Sequence, residues 1–156
     1  MTALTRKQLV EVISQAAGDS LIIVSGRPVH SVTLASGWLV DGYFSKVFKT
    51  GEVREQSRVR ARGLQFTSVT DSTDQSHLTK DALLAQIADM PDDAVIVVDG
   101  GTVMGVSITK GWIQDLSSGA RFTPVKPREK NRTQAWAIQF TSQTEDSDGH
   151  VRNCAV

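Results

Sequence analysis

Basic side chains in this sequence gather in two places. Lys46, Lys49, Arg54, Arg58, Arg60 and Arg62 crowd one stretch, and Arg121, Lys126, Arg128, Lys130 and Arg132 crowd a second. Arginine presents a planar fork of donors that fits phosphate or carboxylate in bidentate fashion, so two such clusters point to capture of a small anion. The plainer role is a solvated strand face, with Arg54–Glu55 and Arg128–Glu129 as surface ion pairs worth little. The residues alone leave both open. Three tryptophans stand near these clusters. Trp38 and Trp112 each follow a glycine and read either as core anchors or as stacking surfaces for a base. Trp136 falls where the first cluster has Arg62 and is a further stacking candidate.

Catalytic constellations are harder to find. His30, His77 and His150 have no metal-ligand spacing among themselves or with Cys154, and no GxSxG, Walker loop or HExxH occurs. His30 aligns with Met104 in the repeat described next, which reads as a half-buried packing position. Asp92–Asp93 and Glu145–Asp146 sit in turn-like contexts. Asp41 and Asp115 each lie three residues past a tryptophan, where a local cap or turn explains them. The residues thus favour binding over catalysis and assign no catalytic group, metal or cofactor.

The elements that must position these side chains occur twice. An ungapped shift of 74 residues lays Leu4–Thr5 on Leu78–Thr79, Asp19 on Asp93 and Val24-x-Gly26 on Val98-x-Gly100. It continues through Gly37–Trp38 on Gly111–Trp112, Arg54–Glu55-x-x-Arg58 on Arg128–Glu129-x-x-Arg132, and Gln65–Ser68 on Gln139–Ser142. One register held over that span is a tandem duplication. Thr5 with Gln8 forms a capping box ahead of a helix whose apolar face is Leu9, Val12, Ile13 and Ala16. Thr79 caps its counterpart, with Asp81 near the positive end and Leu83, Leu84 and Ile87 on the face. Leu21–Val24 and Ala94–Asp99 are short apolar strands, and Gly26-Arg27-Pro28 and Gly100–Gly101 turn the chain. Alternation then predicts second strands through His30, Val32, Leu34 and through Met104, Val106, Ile108, each closed by its Gly–Trp pair. The segment from Asp41 to Val53 reads as a short helix or an irregular loop, and Ser117 to Asn131 as a basic loop. Arg58–Val69 and Arg132–Gln143 are long strands, the polar run TDSTDQSH links the copies, and the tail beyond Asp148 is expected to fray.

Acidic and basic residues balance, which argues against a dedicated nucleic-acid binder. No apolar run approaches the ~18 residues of a membrane span, and charges interrupt the N-terminus where a signal peptide needs an apolar core. A single cysteine forms no internal disulfide and fits a reducing cytoplasm.

The segment LTKDALLAQIADMPDDAVIVVDG resembles the opening of small phage-encoded proteins, mostly of unassigned function, that begin with a capped helix, "PDDA" and an apolar strand ending in glycine. The resemblance implies an accessory viral or mobile-element protein, some relatives of which interfere with host processes. The segment AVIVVDGGTVMGVSITKGWIQDL is also similar to a CBS motif, a family whose tandem pairs bind adenosyl nucleotides between copies. Thr109 matches that family's hydroxyl position, while its ribose-binding carboxylate falls on Trp112, and on Trp38 in the first copy.

The reading that follows is α+β: helix-strand-strand-loop-strand units at 4–74 and 78–148, packed as one compact protein about a pseudo-two-fold axis, with 149–156 a flexible tail. Leu9, Ile13, Ile23, Val32, Leu34, Leu83, Ile87, Val97, Val106 and Ile108 are its expected core. The function expected is non-enzymatic capture of a small anionic ligand such as a nucleotide or nucleotide-derived signal. Its site would be built from Arg54, Arg58, Arg60, Arg62, Arg128, Arg132, Trp38, Trp112 and Trp136. In that arrangement Arg58 and Arg132 face one another across a shared groove. An interaction module that inhibits a host enzyme is the alternative, and a phosphoesterase using Asp41, Asp115 or His30 a weaker one. Self-association of the chain is left open.

Overall fold

A computed structural model describes residues 3–42, 46–66, 77–116, 119–145 and 151–155. In chain order its elements are α1 (Arg6–Ile13), β1 (Leu21–Val24), β2 (Arg27–Pro28), β3 (Val32–Asp41), β4 (Lys46–Lys49) and β5 (Val59–Phe66). The second half continues with α2 (Lys80–Ile87), β6 (Val95–Val98), β7 (Gly101–Thr102), β8 (Gly105–Leu116), β9 (Gly119–Thr123), β10 (Arg132–Glu145) and β11 (Val151–Ala155). The structure is mostly β, 51% strand against 13% helix and arranged in two barrel-like sheets, which corrects the α+β class. The expected three-strand units are wrong for a physical reason. Each Gly–Trp pair lies within a long strand rather than at its end, and the basic segments after it pair back as β4 and β9.

The two halves do not each fold into a barrel. They exchange strands. The first barrel closes in the order β3-β4-β7-β6-β5, three strands from the first half and a hairpin from the second. The second sheet runs β2-β1-β10-β8-β9, a hairpin from the first half and three strands from the second, with β11 on β10. In each, the short apolar strand runs parallel to the long strand of the other half: β6 to β5 with Val95 opposite Gly63, and β1 to β10 with Leu21 opposite Ala137. The second sheet approaches closure where Phe122 N–H donates to the Gly26 carbonyl at 2.7 Å, the counterpart of Phe48 N–H to Gly100 at 2.9 Å.

Backbone bonds ahead of the helices cross between halves in the same way. Leu4 N–H donates to Val103 and Ile96 N–H to Leu4, while Leu78 N–H donates to Val29 and Ile22 N–H to Leu78. Thr5 completes the capping box with Gln8, and Thr79 accepts from Ala82 N–H at 3.2 Å. The hairpins β1–β2 and β6–β7 turn on Ser25–Gly26 and Asp99–Gly100, all four at positive φ. That is the two-residue turn whose twist matches antiparallel strands, set one residue earlier than the glycines alone suggest.

Alternation within each short strand divides the core. Ile22, Val24, Ile96 and Val98 point to a central cluster shared with both helices, where Phe66 and Phe140 meet with ring centroids 4.9 Å apart. Ile23 and Val97 point instead into their barrels, against Phe122 and Phe48. Leu9, Ile13, Val32, Leu83 and Ile87 are buried as expected. Val106 and Ile108 are half-buried, packed against the central cluster. Leu34 and Val12 depart from expectation at 40% and 41% exposure: Val12 lies beside the buried Leu9–Ile13–Ala16 stripe rather than on it, and Leu34 follows Val32, the last residue of β3 in the central cluster. The tail expected to fray supplies β11. The polar linker TDSTDQSH apart from His77, the end of the expected strand at 67–69, Asp146 and His150 lie outside the described residues.

Candidate functional site

The repeated Gly–Trp pair defines the outside of each barrel. Gly37 and Gly111 point inward, where a side chain has no room. A Cβ at Gly111 would lie 2.6 Å from the Phe122 ring and 2.5 Å from the Thr123 carbonyl; at Gly37 it would lie 2.8 Å from Phe48 and 2.4 Å from the Lys49 carbonyl. Successive residues of a strand face opposite sides, so Trp38 and Trp112 stand on the outer faces, half-buried, and do not anchor the core. Cations cover them. The guanidinium carbons of Arg58 and Arg60 lie 5.8 and 5.5 Å from the Trp38 ring centroid. Arg132 lies at 5.8 Å and the Lys126 ammonium at 5.6 Å from Trp112. These are cation–π distances.

Arg58 and Arg132 do the same job in their separate barrels. Each donates from Nη1 to the carbonyl of the glutamate three residues earlier, Glu55 at 3.1 Å and Glu129 at 2.8 Å, while covering its tryptophan. The repeated Arg-Glu-x-x-Arg is therefore a turn clasp. Each of these arginines is eight residues before Phe66 or Phe140, roughly 26 Å of extended strand at ~3.3 Å per residue. Arg58 directly precedes β5 of one sheet and Arg132 begins β10 of the other, and none of the clefts described among these residues is lined by both. Arg54 lines an open depression with Glu52 and Glu55, and Arg128 lies in the exposed loop before β10. Lys49 donates to Glu55 at 2.7 Å, and that hydrogen bond holds the Glu55 carboxyl below the usual carboxylate range.

What the structure does bring together is Arg60, Arg62, Ser36 and Asp93. β6 starts only at Val95, opposite Gly63, so β5 runs past it through residues 59–62. Beside that overhang is a half-open cleft of about 540 Å3, with Leu39, Ala61 and Val95 among the apolar lining and Pro91 and Asp93, from the segment before β6, forming a wall. Arg62 is directly opposite Ser36 across β3–β5, and Arg60 opposite Trp38. Among the described residues no carboxylate forms an ion pair with Arg60 or Arg62. Two guanidinium groups on one wall, a hydroxyl beside them and a carboxylate on the other wall can hold an anion that also carries hydrogen-bond donors.

An equivalent cleft of about 360 Å3 opens on the other barrel, where β10 runs past the start of β1. Asp19, Lys110, Gln134 and Trp136 line it at the positions of Asp93, Ser36, Arg60 and Arg62. Asp19, Asp93, Ser36, Lys110 and Gln134 were not singled out as binding groups by sequence alone. The identity of Asp19 and Asp93 in the repeat was the available signal. Among the described residues no group of histidine, cysteine, aspartate and glutamate side chains has the arrangement of a metal site. No helix among them is long and apolar enough to cross a membrane. Compared with protein-family models, with curated proteins and with solved structures, the chain matches none.

Proposed function

We propose that this protein is a non-enzymatic binding protein that holds a small anionic ligand, such as a nucleotide or nucleotide-derived signal, in the cleft of the first barrel. The observation that carries this reading is the pair Arg60 and Arg62, unpaired with any described carboxylate, on the wall of a cleft with partly apolar lining. Its volume of about 540 Å3 falls within the ~300–1,000 Å3 typical of small-ligand sites. Asp93 on the opposite wall suits a ligand bearing hydroxyl or amino groups beside its phosphate, as a ribose phosphate does. Capture requires complementary charge and enclosing walls, and no catalytic group. With the resemblance to small phage-encoded proteins, this makes a cytoplasmic accessory factor that sequesters such a signal. Native mass spectrometry of protein purified from cells tests it. A co-purifying phosphorylated small molecule, lost from an Arg60→Ala/Arg62→Ala variant, is the expected result; a bound host protein in its place would give the site to an interaction module.

A further inference from the structure

The second cleft differs from the first in every polar residue except its aspartate. Arg62 is replaced by Trp136, Arg60 by Gln134 and Ser36 by Lys110. Trp136 is 43% exposed, although an indole is among the costliest apolar groups to leave in water. The other two tryptophans each lie beneath two cations, whereas among the described residues no cation or ring covers Trp136. Lys110 is directly opposite Trp136 across β8–β10, on the same outer face. It makes no ion pair with a described carboxylate. Gln134 lies two residues from Trp136 on that face, and Asp19 closes the far wall.

We propose that this cleft is a second, separate site for a nucleoside monophosphate, recognised through its base. The indole of Trp136 stacks on the base. The amide of Gln134 offers both a donor and an acceptor to the base edge, and the Lys110 ammonium takes the phosphate. Asp19 accepts from the ribose hydroxyls. A neutral sugar would use the indole and the aspartate but leave Lys110 idle, and a bare phosphate would leave the indole idle; a nucleotide engages all of them. The cleft's volume of about 360 Å3 lies at the small end of ligand sites, which suits one nucleotide rather than a chain. The first cleft, with two guanidinium groups and its tryptophan already covered, selects for phosphate. The second selects for the base. This inference stands on the geometry around Trp136 and does not depend on what binds at Arg60 and Arg62.

Calorimetric titration of adenosine monophosphate, uridine monophosphate and ribose 5-phosphate tests it, using the full chain and its Trp136→Ala, Trp136→Phe and Lys110→Gln variants. Melting temperatures establish that each variant is folded, as expected for exposed positions. At least one nucleotide should bind the wild type with Kd below millimolar. In the Arg60→Ala/Arg62→Ala background, where the first cleft is disabled, ribose 5-phosphate should bind at least tenfold more weakly than that nucleotide. Base–aromatic stacking contributes roughly 1–3 kcal/mol, so Trp136→Ala should weaken the nucleotide by about 5- to 150-fold while Trp136→Phe retains most of the affinity. Lys110→Gln should weaken the nucleotides and leave adenosine unchanged. An Arg60→Ala/Arg62→Ala variant should retain the site. Equal binding by wild type and Trp136→Ala would overturn the proposal, as would absence of nucleotide binding below millimolar. Loss of the site in the double arginine variant alone would place the ligand in the first cleft and overturn it too.

Discussion

Glycine before tryptophan does two things at once in each barrel. The inward glycine leaves space for a phenylalanine ring from the next strand, and the outward indole gives two basic side chains a surface to lie on. Gly111→Ala forces a methyl group to within 2.5 Å of a backbone carbonyl that cannot swing away. Overpacking of this kind typically costs about 1–3 kcal/mol, and Gly111→Ala should lose at least that much stability in a urea titration. Ala at exposed Ser36, immediately before the other Gly–Trp pair, should leave the midpoint nearly unchanged. The Gly–Trp pair was visible in the sequence as a repeated motif. Its orientation was not, because a tryptophan ending a strand and one in mid-strand have the same neighbours in the chain, and only the partner strand decides. The arginines divide for a similar reason: Arg58 and Arg60 are two residues apart, yet one holds its own turn while the other lines the cleft.

Among the elements, β5 and β10 carry most of the organisation. Each follows the turn clasp, lines its cleft along the overhang, and then carries a phenylalanine that meets its counterpart in the central cluster. Phe66 and Phe140 are both fully buried, so Phe140→Ala should cost about 3–5 kcal/mol. Because the rings touch, the double variant should fall short of the sum of the single losses by roughly 0.5–3 kcal/mol in a double-mutant cycle. Strict additivity would show that they do not meet. The helices, the apolar strands and these long strands were legible because caps, periodicity and alternation are local signals. β4 and β9 were not. Their charged residues face solvent and each commits only one side chain, Phe48 or Phe122, deeply to a barrel. β11 has no apolar alternation and is specified by its pairing with β10.

At the scale of the molecule, strand exchange makes the two halves interdependent. The first barrel needs β6 and β7 from the second half, and the second sheet needs β1 and β2 from the first. Arg6 in α1 bonds the Ile87 carbonyl at 3.4 Å and pairs with Asp92, tying the halves again. Residues 1–74 and 75–156 produced separately should therefore not fold as monomers, and mixing them should restore a one-to-one complex with the circular dichroism of the whole protein. A monomeric, cooperatively folding half would contradict the exchange. The duplication could be read from sequence; the exchange could not, since the same hairpin completes a barrel equally well from its own half or the other. The central functional claim is tested most directly by calorimetry with mono-, di- and cyclic nucleotides in a Trp136→Ala background, which disables the second cleft. The comparison is between the protein that is wild type at Arg60 and Arg62 and its Arg60→Ala/Arg62→Ala variant. At least one ligand should bind the protein with both arginines below millimolar, less tightly as salt rises. At about 1.5–3 kcal/mol for a charge-assisted hydrogen bond, the variant lacking them should bind at least tenfold more weakly with little change in melting temperature. Equal affinity in the two proteins, or no binding to the one with both arginines, would contradict the account.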